Sequence, residues 1–245
     1  MKKKFIFLIV PLIITAFLYE SFFSSDSGKS PLTIELKAGA SGQSNYKIIY
    51  KNSSKIDFET VRPNQNDTTV LLCIAAAFTK LDNYAIDGLY ICKGKTGNKN
   101  EVNHRLGGAI KIINGECSFF GTDKGKLLTD SLITDIEVKK ASLFQQILMI
   151  ENGNVATFKD TILFLRRGIV LFKDGKTAIA ESTTPITLKT FASDLAALGA
   201  KDLLYTDMGA WDAGWYRNPS NGNVTALGYD HSQTAHQSNW VVFRR

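Results

Sequence analysis

Apolar positions along this chain change period several times, and the changes outline its elements. Leu188, Phe191, Leu195 and Leu198 recur at three- and four-residue steps and share one helical face. Thr187 is an N-cap for that helix and Gly199 a left-handed stop. The following run, 202–206, predicts a buried strand that ends on Asp207. Thr68 to Phe78 (TTVLLCIAAAF) is continuously apolar, β-branched in its front half, and suits a buried central strand, although Ala75–Ala77 can also open a helix. Ile48-Ile49-Tyr50 is another strand candidate.

Residues 84–95 predict a hairpin-rich piece turning at Asp87-Gly88, and 93–104 a polar surface loop. Gly108 to Phe120 reads as two strands around Asn114-Gly115, a type I′ pair. Leu143, Phe144, Ile147 and Leu148 fall on one side of a short helix within 142–150, and Asn152-Gly153 opens a turn. Residues 161–182 carry the clearest β pattern, TILFLRRGIVLF and KTAIAES about the turn pair Asp174-Gly175. From Pro219 the tail is loop-like until a final strand, Asn239 to Phe243. Many strands with two or three helices predict an α+β fold, a single domain with a mixed β-sheet core and a few packed helices.

The first 31 residues change the picture. Lys2, Lys3 and Lys4 precede FIFLIVPLIITAFLYESFF, so residues 1–23 read as a signal peptide or an N-terminal membrane anchor. The apolar stretch is short against the roughly 20 residues of a full span, and no clean Ala-x-Ala cleavage site follows. Residues 24–31 (SSDSGKSP) form a linker, and 32–245 the folded domain. Positive-inside logic puts that domain outside the cytoplasm, exported to the periplasm or membrane-anchored. Formal net charge is +6, half of it in the leading lysines. No later basic run argues for nucleic acid. Cys73 reads as a small buried hydrophobe, while Cys92 and Cys117 could pair. With no CxxC and only three histidines, neither zinc nor any other cofactor is expected.

Asp207 stands at a strand end beside Met-Gly-Ala-Trp-Asp-Ala-Gly-Trp-Tyr. It is either a site carboxylate or a turn cap. Trp211 and Trp215 either stack on a sugar ring or pack in the core. His231 and His236 lie in a polar tail, where either can serve as a general acid or remain solvated.

The ordered run Arg166-Arg167, Lys173-Asp-Gly-Lys, Glu181-Ser182, Phe191-Ala-Ser-Asp-Leu-Ala-Ala-Leu-Gly199, then Asp-Leu-Leu-Tyr-Thr-Asp207-Met-Gly209 resembles the phosphodiester glycosidase family. The resemblance covers about 160–217, and more loosely 70–245. Met-Gly-Ala-Trp, Gly-Trp-Tyr-Arg, Ala-Ala-Phe-Thr at 76–79 and Asn239-Trp240 resemble its Bacteroidetes-type branch. Two departures stand out. Many members carry Asn-Gly-Gly-Phe-Phe where this chain has Ala-Ala-Ala-Phe-Thr at 75–79, and Met208 replaces the motif's usual glycine.

What the resemblance implies is hydrolysis of a sugar joined through its anomeric carbon to a phosphodiester, the substrate being a carbohydrate phosphodiester of the N-acetylglucosamine-phosphate type. Such a reaction is served by carboxylates, here Asp207 as base or nucleophile with Glu181 as the second carboxylate. Arg167, or Arg166, would hold the phosphate bidentately. One of the two faces the site and the other is expected at the surface. Glu181 can equally pair with an arginine on the next strand. Thr79, Trp211, Trp215, His236 and Asn239 are the candidate substrate contacts. The alternative is a catalytically inactive carbohydrate- or envelope-binding protein on the same fold, marked by the missing Asn.

Overall fold

The computed structural model describes residues 30–98, 101–209 and 214–245. The predicted leader and Trp211 lie outside the described residues. Pro31–Arg245 separates as one compact unit.

Three sheets make the frame of that unit. The first has seven strands in the order β1 (Leu32–Ala38), β2 (Asn45–Lys51), β13 (Thr177–Ser182), β12 (Arg167–Phe172), β14 (Ala200–Tyr205), β10 (Leu148–Glu151), β11 (Asn154–Val155). The second runs β16 (Val224–Leu227), β15 (Gly214–Arg217), β4 (Val70–Ala75), β17 (Trp240–Arg244), β3 (Lys55–Glu59). The third runs β6 (Lys95–Thr96), β5 (Tyr90–Cys92), β9 (Ser142–Gln146), β7 (Gly108–Ile113), β8 (Glu116–Gly121). Two α-helices accompany them among the described residues, α1 (Asp130–Val138) and α2 (Leu188–Ala197). The ladders between described strands are antiparallel, where a mixed sheet was expected.

Side-chain alternation sorts the strands into cores. Ile49, Ile179, Ile169 and Leu204 stand opposite one another in one register row across the first sheet. They pack with Leu72, Ile74, Val241 and Phe243 of the second sheet and Ile110 and Phe144 of the third. The other face of the first sheet, Val170, Ala178, Ala180 and Leu203, receives Phe191 and Leu195 of α2. A separate cluster sets Ile133 and Ile136 of α1 against Ile91 and Leu143. The outer face of the second sheet carries Val70, Cys73, Trp215, Trp240 and Val242. β4 is therefore buried on both faces, which is why it reads as an unbroken apolar run. Each fully buried Ile, Leu or Phe contributes roughly 1.5–3 kcal/mol.

Local signals carry through where backbone geometry is the cause. Thr187 Oγ1 accepts from Thr190 N at 3.0 Å, and Gly199 sits at φ 96°. Asn114 and Gly115 take φ 53° and 82°, the two left-handed residues that a type I′ turn requires. The tight turn of the β5–β6 hairpin falls at Lys93-Gly94, φ 50° and 77°, not at Asp87-Gly88.

The expected helix at 142–150 is instead β9 and β10. Leu143 goes to the α1 core and Phe144 to the central core, so consecutive apolar residues serve opposite faces. Buried Gln145 adds a tertiary reason. Its Oε1 accepts from Leu89 N and Asn103 N at 2.8 and 3.0 Å, and its Nε2 donates to Asn103 O at 3.0 Å. The β pattern expected from 161 begins only at Arg167; before it, Phe164 makes an isolated bridge to Ile186. The tail holds β16 and a 3₁₀ turn, Thr234–His236, ahead of β17. Cys92 and Cys117 are both free thiols.

Candidate active site

The strand ends at one edge of the first and second sheets meet around Asp207. β4 stops at Ala75, and Ala75–Ala77 are buried and small, so another backbone approaches them closely. The chain leaving β14 does so: Asp207 N donates to Ala76 O at 2.9 Å. Asp207 Oδ2 accepts from Thr79 N at 3.0 Å, and Oδ1 accepts from Met208 N at 3.0 Å. Its side chain thus pins the 76–79 segment to the end of β14.

Asn239, immediately before β17, holds the same segment as well. Its Oδ1 accepts from Ala77 N at 2.7 Å, and its Nδ2 donates to Ala77 O at 3.1 Å. Ser238 Oγ lies 3.2 Å from Thr79 Oγ1 and accepts from Asn239 Nδ2 at 3.3 Å. Gln146 Nε2 donates to Ala76 O at 3.4 Å. Neither Ser238 nor Gln146 was a sequence candidate. Gln146 was hidden by the helical reading of its segment, and Ser238 carries no signal beyond lying next to Asn239.

The second half of the site is an ion pair. Arg167 and Glu181 stand opposite each other across β12 and β13 and share the inner face with Ile169 and Ile179. Arg167 Nε donates to Glu181 Oε2 at 2.7 Å, and Nη2 donates to the same oxygen. Arg167 is 0% exposed. Gly214 makes room for it, because a Cβ there would lie 3.3 Å from Arg167 Nη1. Gly228 N approaches Glu181 Oε1 at 3.4 Å. The halves are joined through the backbone, where Thr206 N donates to Arg167 O at 3.1 Å. Asp207 thus contacts Thr79, Asn239 reaches the same segment through Ala77 and Ser238, Arg167 contacts Glu181, and the two groups are linked through Thr206, the residue before Asp207.

The other candidates lie elsewhere. Arg166 is buried rather than at the surface, because both faces of its strand are covered. It points to the α2 side and holds the 160–164 loop. Its Nη2 donates to Asp160 Oδ2 and Ile162 O at 3.0 and 2.7 Å, and its Nε donates to Ile186 O at 2.9 Å. Its guanidinium is therefore already engaged by Ile186, Asp160 and Ile162. Trp215 is 1% exposed on the outer face of the second sheet, so it offers no stacking platform to Asp207. His236 is exposed and stacks on Tyr84, ring centroids 4.0 Å apart. Among the described residues, no three His, Cys, Asp or Glu side chains gather as a metal-ligand set.

No family model matches the chain, and no curated protein sequence does. Solved structures do. The catalytic domain of zebrafish N-acetylglucosamine-1-phosphodiester alpha-N-acetylglucosaminidase, auto-inhibited by its pro-peptide, is similar with a TM-score of 0.60 and 11% identity, over 90% of this chain and 85% of that one. A hypothetical protein from Synechocystis is similar with a TM-score of 0.55 and 11% identity, over 87% of this chain and 62% of its own length. At this identity the likeness is one of fold.

Proposed function

We propose that this chain is a phosphodiester glycosidase acting outside the cytoplasm, exported or held at a membrane by its first 23 residues. Its substrate class is a sugar-1-phosphodiester of the N-acetylglucosamine-phosphate type. The observation that carries the reading is that Asp207 and the Arg167–Glu181 pair lie at neighbouring strand ends, linked by the Thr206 N–Arg167 O bond, on a fold shared with a catalytic domain of that activity.

In the proposed reaction the bond between the anomeric carbon and the phosphate oxygen breaks, and the oxygen keeps the electron pair. Water forms the new bond to that carbon and gives its proton to the Asp207 carboxylate. The leaving phosphate needs its charge held more than it needs a proton, which suits Arg167. Glu181 is committed to Arg167 through Oε2, so its proposed part is to fix the guanidinium rather than to act as a second catalytic carboxylate. Thr79, Ser238 and Asn239 shape the rim.

The second reading, a carbohydrate-binding protein without activity, is favoured by one observation. Both oxygens of Asp207 already accept backbone N–H groups. The test is release of free sugar from an N-acetylglucosamine 1-phosphate methyl diester. The wild type is expected to release it, and Asp207→Ala to lose about 10²-fold or more in rate. Equal release by both sinks Asp207, and no release by the wild type favours the second reading.

A further inference from the structure

A cleft of about 670 Å³, within the range of small-ligand sites, opens where β3, the edge strand of the second sheet, meets the third sheet. It lies at the far end of β17 from the candidate active site. Asn239, just before that strand, holds Ala77; Arg244, at its other end, lines the cleft about 16 Å away at the rise of an extended strand.

Cations reach this cleft from several segments. Lys55 opens β3, Lys93 lies in the β5–β6 turn, and Lys140 lies in the link from α1 to β9. Arg244 and Arg245 add guanidinium groups, and Asp57 is the acidic side chain among the described lining residues. The frame is fixed by hydrogen bonds between the segments. Ile56 N donates to Gly115 O at 3.1 Å, Gly94 N to Ala141 O at 2.8 Å, and Lys93 N to Ser142 Oγ at 3.0 Å. Gly115 leaves room for the Lys55 stem, since a Cβ there would lie 2.7 Å from Lys55 Cβ.

The acids nearby balance these cations unevenly. Lys93 pairs with Asp57 at 2.9 Å, and Arg244 pairs with Glu59 and Asp67 at 2.9 and 3.0 Å. Lys55 and Lys140 are exposed and have no ion-pair partner among the described residues. Backbone conformation is an independent sign. Lys93 and Lys140 sit at φ 50° and 51°, in the left-handed region where glycine or asparagine is the usual residue. A lysine held there against local preference is the kind of exception that functional sites retain.

We propose that this cleft binds a small ligand carrying two or more phosphate groups, held by Lys55 and Lys140 with Lys93 and Arg244 at its margin. Two uncompensated ammonium groups on separately anchored segments suit a ligand whose negative charge is itself divided, and their positions are set before it arrives. The site is separate from the Asp207 chemistry.

The experiment is isothermal titration of the full chain, at about 0.1 M salt, with tripolyphosphate, fructose 1,6-bisphosphate, inorganic phosphate, citrate and, as the neutral control, sucrose. At least one of the first two is expected to bind about tenfold or more tightly than inorganic phosphate, and sucrose is not expected to bind. Lys55→Gln and Lys140→Asn should each weaken that binding about three- to tenfold. Asparagine tolerates the left-handed backbone, so Lys140→Asn should do so with no fall in Tm. Lys189→Ala, which removes an exposed charge from α2 outside the cleft, should leave affinity unchanged. Equal affinity of wild type and the Lys55→Gln, Lys140→Asn double variant overturns the proposal. So does a loss in Lys189→Ala as large as in Lys140→Asn, citrate bound as tightly as the phosphorylated compounds, or no binding of either phosphorylated compound up to about 10 mM.

Discussion

Replacing Glu181 with alanine should destabilise the fold by about 3 kcal/mol. Arg167 is 0% exposed, so water cannot take over when its partner is removed. The two hydrogen bonds from Nε and Nη2 to Oε2 are both lost. Breaking one side of a buried ion pair typically costs about 3–5 kcal/mol. Arg167 keeps contacts beyond Glu181, which sets the expectation at the lower end. For a domain of this length, a loss of about 3 kcal/mol lowers Tm by roughly 6–12 °C. Urea denaturation of wild type, Glu181→Ala, Arg167→Met and the double variant measures the cycle. The double variant should recover most of the loss, because it removes both charges from the interior. A Glu181→Ala change under about 1 kcal/mol, or a double variant no more stable than Glu181→Ala alone, refutes the reasoning.

Two further outcomes follow from the same packing. Asn239→Ala leaves Ala77 N–H and C=O without their side-chain partner in a buried segment, so about 2 kcal/mol should be lost in chemical denaturation, and sugar release should fall with it. For Cys73 the folded pKa is raised above the unfolded value by burial. The unfolded state therefore loses that proton first. Stability contributed by the neutral thiol is full below about pH 9 and falls as pH rises toward 12, by up to about 1.4 kcal/mol per pH unit. Cys73→Ala should flatten the alkaline limb of stability against pH, and an unchanged slope would refute this assignment.

The sequence alone determined the features whose cause lies within a few residues. The Asn114-Gly115 turn and the Thr187 and Gly199 ends of α2 depend on backbone dihedrals and short-range capping bonds, and all are legible without the fold. So is β4, since six consecutive buried residues leave no polar alternation. Asp207 was visible as a carboxylate at a strand end because that strand's apolar run simply stops there.

Only the tertiary structure decided which faces were covered. Arg166 and Arg167 are adjacent and chemically identical, and pleating sends them to opposite sides. Arg167 meets Glu181 because β12 and β13 pair in that register, while Arg166 is taken up by the 160–164 loop. Leu143 and Phe144 look like one helical stripe until two cores, one on each side, claim them separately. Trp215 looks like a sugar platform for Asp207 until strand alternation places it on the far face. Apart from the hold of Arg166 on the 160–164 loop, the outcome depends on partners more than ten positions away along the chain, and no local period or propensity carries that information.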